Sequence, residues 1–378
     1  MIKFNKTSIT ALEEKYMIDA LHNNNISGDG KYTKLVYEQF QKRFGITDML
    51  LTTSGTAALE MAAILADLSI GDEVIVPSFT FSSTVNAFLL RGARPVFCDI
   101  RLDTMNIDEN LIESLITNKT KAIFTVDYAG IPCEMNVINQ IAQKYKLFVI
   151  EDAAQAVGSY YNEKPAGTLS EFGCYSFHET KNYTMGEGGA LVINKKKYMD
   201  RAEIIREKGT NRRQMLQGLV DKYSWHDVGS SFLPSDILAA ILYAQMERFD
   251  EITQRNMIIW ETYHILLIPL EQKEQLRRPI LPSNIIHNAH KYNVILPSEK
   301  KRYNLINYLC EKDILAYICY VPLHSSPMGR SMGYKIESCP ITEECGKRVL
   351  RLPLHPNMKI DDVHYVVEQI QTFFTKVL

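Results

Sequence analysis

The sequence predicts an α/β fold, with a mostly parallel central sheet in a large domain over residues 1–250 and a smaller C-terminal α+β domain over residues 251–378. Two observations carry that expectation. Short runs rich in β-branched and aromatic residues alternate with stretches of helical length from Glu73 onward, the rhythm of strands joined by crossover helices. After Pro279 a second set begins, with strand patterns at Tyr292–Leu296 and Ala316–Tyr320 and helical ones at Tyr303–Lys312 and Ile360–Thr375. A chain of 378 residues can bury one large core and a smaller one.

Taken in order, residues 1–50 read as polar helices interrupted by Ser27-Gly28-Asp29-Gly30. Glycines at alternate positions mark either a plain connector or a loop that lets backbone approach a ligand closely. Next, Ser54 or Thr53 is expected to cap an alanine-rich helix that runs to about Leu68. The amides of Gly55, Thr56 and Ala57 at its start can hold an anion, although capping alone is the commoner reason for such a pattern. Strands are then expected at Glu73–Pro77, Pro95–Asp99, Ala122–Asp127 and Leu147–Ile150, with helices such as Ser82–Arg91 and Met135–Tyr145 between them.

Ligands of such sheets sit beyond the carboxyl ends of the strands, and two of these ends carry chemistry. Pro77-Ser78-Phe79-Thr80-Phe81 offers aromatic faces after one. Glu151-Asp152-Ala153-Ala154-Gln155 follows another, with an acid, two small residues and an amide. Asp152 alone would more often be a helix cap, but the alanines leave room for something flat against the backbone.

Between the strand-like runs Gly173–Phe177 and Ala190–Ile193 lies Ser176-Phe177-His178-Glu179-Thr180-Lys181-Asn182-Tyr183-Thr184. Most lysines in such loops are merely solvated. One set among small, hydroxylated and aromatic residues loses hydration, which lowers its pKa and frees a neutral amine as a nucleophile. Gly186-Glu187-Gly188 would need a third glycine where Leu191 stands, so dinucleotide binding fails at that test. A helix over Asp236–Ile252, continuing toward Leu267, is expected to lead into the second domain. Tyr320-Val321-Pro322-Leu323-His324 then brings a histidine after a strand, where core packing and ligand contact are equally good readings.

Composition narrows the class. Lys+Arg 42 against Asp+Glu 44 gives a net charge of -2, which offers no electrostatic case for nucleic acid or an anionic membrane. Met1–Thr10 has no apolar core of signal-peptide length, and no later run approaches a membrane span. The seven cysteines show no C-x-x-C spacing, which fits reduced thiols in a cytoplasmic protein. His287 and His290 stand three apart without a carboxylate or cysteine cluster, so no metal site is expected.

A reactive lysine, a helix start suited to phosphate, an aspartate at a strand end and an aromatic platform are together what pyridoxal 5′-phosphate requires. The run Asp152-Ala153-Ala154-Gln155, followed by Ser176-Phe177-His178-Glu179-Thr180-Lys181-Asn182, resembles the nucleotide-sugar aminotransferases of the DegT/StrS type. The resemblance spans the Gly28 loop to Arg351-Leu352-Pro353-Leu354 and implies the fold of the type I pyridoxal-phosphate transferases. By that resemblance Lys181 is the Schiff-base lysine and Asp152 the partner of the pyridine nitrogen. Gln155 lies near the ring hydroxyl, while Ser176, Gly55 and Thr56 bind the phosphate. Phe81 stacks on the ring and Ala154 lines its other face. His324 stands near the substrate, with Tyr320, Gly28 and Tyr183 as further substrate contacts. Family members often carry Gly-x-Asn-x-Arg where this chain has Gly229-Ser230-Ser231-Phe232-Leu233, which leaves Ser231 as the substitute reaching a neighbouring subunit's phosphate.

Asp103–Glu109 and Ala202–Arg212 look most like members that aminate dTDP-4-keto-6-deoxyglucose to dTDP-4-amino-4,6-dideoxygalactose. These serve surface polysaccharides such as enterobacterial common antigen and lipopolysaccharide O-antigen. The same resemblance implies glutamate as donor, pyridoxamine phosphate as the intermediate cofactor form, and a homodimer. Amination to the C4 epimer or at C3 stays open. A family dehydratase would hold histidine in place of Lys181, and a non-catalytic regulator should lack Lys181, Asp152 or Ser176.

Overall fold

The computed structural model describes residues 1–23 and 25–376. Its central sheet takes β1 (Met49–Thr52), β2 (Glu73–Pro77), β3 (Arg94–Cys98), β4 (Thr120–Val126) and β5 (Phe148–Asp152). Beyond a small hairpin, β6 (Tyr160–Tyr161) and β7 (Lys164–Pro165), it adds β8 (Phe172–Ser176) and β9 (Gly189–Ile193). The spatial order is β1-β9-β8-β5-β4-β2-β3. Every neighbour pair from β3 to β8 is parallel, and both pairs made by β9 are antiparallel. Only β9 therefore runs against the rest, and the carboxyl ends of β1, β2, β5 and β8 share one edge.

The strands are short, apolar and buried on both faces, as parallel strands covered by helices should be. The helix Gly55–Leu65 is buried along nearly its whole length against this sheet. On the other face Val36, Phe40, Tyr175, Phe177 and Ala239 belong to a second apolar cluster.

Two minor sheets follow. Strand β10 (Ile285–Ile286) pairs with β6. Strands β11 (Tyr292–Ile295), β12 (Tyr317–Ile318) and β13 (Val349–Leu352) form an antiparallel sheet in the order β11-β13-β12. Its apolar side chains pack with Ile259, Tyr263, Leu305, Ile370 and Phe373. The expected helix Asp236–Ile252 is instead two, Asp236–Glu247 and Phe249–Leu266, broken at Arg248. The second of these begins in one core with Phe249 and Ile252 and ends in the other with Ile259 and Tyr263. The N-terminal segment also joins the two regions, since Ile2 pairs with Ile314.

Candidate active site

Strand alternation sorts the acids at the end of β5, because successive side chains point to opposite faces. Glu151 turns away and accepts the amides of Gly167 and Leu169 at 2.6 and 3.0 Å. Asp152 turns into a cavity of about 520 Å³ that opens at the shared strand edge, a size typical of small-molecule sites. There its Oδ2 accepts the Thr84 hydroxyl at 2.7 Å and its Oδ1 the Ala154 amide at 3.2 Å. Burial pushes the Asp152 carboxyl up, while these two donors and the charge of Lys181 pull it back.

Lys181 follows β8 in the loop that returns to β9 and also lines the cavity. Burial lowers its pKa; Asp152 opposes that shift and Arg351 adds to it. The result is a more available amine beside a carboxylate that can hold a proton elsewhere.

Another wall of the cavity suits a phosphate. Ser54 caps the helix Gly55–Leu65, its Oγ accepting the Ala57 amide at 3.0 Å. The first amides of a helix have no partner in a preceding turn, and those of Gly55 and Thr56 lie at this wall. Gly55 is a glycine because a Cβ there would stand 2.8 Å from the Ser176 Cβ. Thr56 and Ser83 add hydroxyls, bonded to each other at 2.7 Å. Ala154 and the 58%-exposed Phe81 also line the cavity. An acid, a helix start with hydroxyls and a lysine, all lining one cavity, fit pyridoxal 5′-phosphate.

Gln155 is fixed at both ends, its Oε1 accepting the Ala129 amide at 2.8 Å and its Nε2 donating to the Tyr320 hydroxyl at 2.7 Å. Gly55, Thr56, Phe81, Asp152, Ala154, Gln155, Ser176, Lys181 and Tyr320 thus meet in one cavity.

Four expected residues do not line it. His324 is 0% exposed, with Nδ1 on the Ser78 hydroxyl at 2.6 Å and Nε2 on the Ile336 carbonyl at 3.0 Å, so core packing has claimed both ring nitrogens. Tyr183 is buried beneath the site, stacked on Phe249 at 4.4 Å and hydrogen-bonded to Thr253. At Gly28 a Cβ would lie 2.3 Å from the Leu233 side chain; its small size serves packing against the 233–234 segment. Ser231 is exposed and bridges Glu207 through the backbone, outside the cavity of its own chain.

Sequence reasoning misses other lining residues: Phe4, Asn5, His290, Lys291, Cys319 and Arg351. Asn182 donates to the Asn288 carbonyl at 2.7 Å, so its Oδ1 is left to accept Nδ1–H of His290 at 2.8 Å. Burial and the charges of Lys291, Lys181 and Arg351 hold that imidazole neutral. One signal in the sequence does point this way, a lysine directly before the strand pattern Tyr292–Leu296. Among the described residues no His/Cys/Asp/Glu group is arranged to hold a metal. All seven cysteines are free, and no described helix is long and apolar enough to cross a membrane.

Comparison with known proteins agrees with this geometry. The model of the DegT/DnrJ/EryC1/StrS aminotransferase family matches residues 7–371. A GDP-perosamine synthase of Escherichia coli O157:H7 is 34% identical over 370 residues, covering 97% of each chain. A pleiotropic regulatory protein of Geobacillus stearothermophilus is 35% identical over 326 residues, covering 85% of this chain and 83% of that one. A Streptococcus pneumoniae chain assigned as a sugar aminotransferase superposes in its PMP form with a TM-score of 0.93 at 25% identity, covering all of both chains. Its PLP form superposes at 0.92, covering 100% of this chain and 99% of that one.

Proposed function

The chain belongs to the DegT/DnrJ/EryC1/StrS aminotransferase family, and on that premise we propose that it aminates the C4 ketone of dTDP-4-keto-6-deoxyglucose with nitrogen from glutamate. The product in this reading is dTDP-4-amino-4,6-dideoxygalactose, a precursor for surface polysaccharide. The cofactor is pyridoxal 5′-phosphate, alternating with its pyridoxamine form. The observation that supports the reading is the meeting of Lys181, Asp152 and Ser176 in one cavity, which also counts against a non-catalytic regulator.

When bound, the cofactor supplies an aldehyde carbon for amine exchange and a ring that accepts electrons. In this reading Asp152 keeps a proton on the ring nitrogen, and Thr84 and the Ala154 amide fix the carboxylate for that task. Ser176 with the amides of Gly55 and Thr56 holds the phosphate. Phe81 and Ala154 set the plane of the ring. Lys181, its amine kept available by burial, takes and returns the proton at the carbon that loses or gains nitrogen.

We place the site at the boundary of a homodimer, with Ser231 reaching the neighbouring cavity. Leu216, Leu219, Tyr223, Trp225 and Val228 stand exposed in the same region, Trp225 by 79%, an apolar surface that suits a partner. The relative named for GDP-perosamine makes the nucleotide the point to test. Offered dTDP- and GDP-linked 4-keto-6-deoxyhexoses in competition, the holoenzyme is expected to aminate the dTDP sugar first. Preference for the GDP sugar would overturn that part of the reading.

A further inference from the structure

Lys291 lies on the approach to β11, one residue before Tyr292, and is only 8% exposed. Its Nζ sits 4.7 Å from the Tyr128 ring centroid and 5.5 Å from that of Tyr320, yet the residue lines the same cavity as Lys181. Arg351 on β13 lines it too, with Nε on the Ile318 carbonyl at 3.1 Å and the guanidinium 4.7 Å from the Phe4 ring centroid. Neither cation has a carboxylate partner among the described residues. Two cations facing one cavity with no acid of their own constitute a built place for an anion.

Resting on the aminotransferase reading above, we propose that Lys291, with Arg351 beside it, binds the side-chain carboxylate of an acidic amino donor and thereby sets donor choice. Depth and bond count decide between the two anionic substrates. A donor amino acid carries its carboxylates within a few bonds of the carbon that reacts at the cofactor. A nucleotide sugar carries its diphosphate on the anomeric oxygen, across the hexose ring from C4, and that ring must separate it from the reacting carbon. Lys291 is deep, and the charges of Arg351 and Lys181 both reach it, which matches the donor. Aromatic faces steady the cation between turnovers. Burial lowers the amine to about 7, so an arriving carboxylate restores the full charge and is held by a charge-assisted hydrogen bond.

The test follows single-turnover bleaching of the holoenzyme's cofactor absorbance with glutamate, glutamine and alanine, and the reverse half-reaction with dTDP-4-amino-4,6-dideoxygalactose. Lys291→Met should raise the apparent Kd for glutamate about tenfold to a hundredfold. Glutamine, alanine and the amino sugar should change by less than about twofold, and Lys291→Arg should restore part of the glutamate affinity. Equal loss with glutamate and glutamine, loss confined to the amino sugar, or no loss at all would each overturn the proposal. A wild type inert toward every amino acid and toward the amino sugar would instead overturn the aminotransferase reading on which it rests.

Discussion

Thr84 donates its hydroxyl to Oδ2 of Asp152 at 2.7 Å, tying the helix Ser82–Leu89 to the carboxyl end of β5. Thr80 lies 2.8 Å behind it, and because the Thr84 proton goes to the carboxylate, Thr80 is the donor of that second bond. Thr84→Val keeps the shape and removes the donor. Asp152, already pushed up by burial, should rise further, and kcat should fall about tenfold while the cofactor stays bound. Unchanged kcat in a variant of normal cofactor content would remove Thr84 from this role.

Lys181→Ala should abolish turnover and the visible absorbance of the lysine-linked cofactor without unfolding the chain. Asp152→Ala should slow both half-reactions by several kcal/mol of barrier, on the order of a lost preorganised charge, far more than it weakens cofactor retention. A Lys181→Ala protein that turns over repeatedly without added amine, or an Asp152→Ala protein with near-normal glutamate half-reaction, would strike out the corresponding assignment.

Lys291 gives a stability prediction independent of catalysis. Its folded-state pKa of about 7 lies below the ordinary 10.5, so between these values the unfolded chain binds the extra proton. Wild-type stability therefore rises with pH across that window, and the penalty for burying the ammonium is fully present below about 7. Asp103 and Asp152 line the two cavities that Lys291 also lines, but the charges that shift it are those of Cys319, Arg351 and Lys181. The shift sets a ceiling of ~5 kcal/mol, and water in the cavity reduces it, so Lys291→Met should gain about 1–3 kcal/mol at pH 7. Denaturant midpoints should show that gain shrinking toward about pH 10; a constant or widening gap would contradict it.

The proposed sharing of the site across a dimer predicts complementation. Lys181→Ala and Ser231→Trp should each inactivate the protein, and random re-association should restore about a quarter of wild-type activity, since half the dimers are mixed and half their sites intact. No recovery after verified subunit exchange would count against sharing.

Much of the fold is legible in the amino-acid order alone. Strands β2 to β5, β8 and β9 fall within two residues of the expected runs, because apolar β-branched stretches between helical patterns have few other uses. Asp152, Ser176 and Lys181 stand out since each lies at or just beyond a strand end. The break at Arg248 is hidden, as no proline or glycine marks it. His324 is undecidable from sequence, because the Ser78 hydroxyl that claims it lies 246 positions away. Lys291 and Arg351 reach the cavity only through the pairing of β11 with β13, a contact that no local pattern encodes.

In the proposed reaction nitrogen passes from an amino acid to C4 of a nucleotide-linked sugar. The direct measurement incubates the holoenzyme with isotopically nitrogen-labelled glutamate and dTDP-4-keto-6-deoxyglucose and reads the sugar by NMR. The account predicts label at C4 with the galacto configuration, matched by an equal amount of 2-oxoglutarate. A sugar recovered without labelled nitrogen would contradict it.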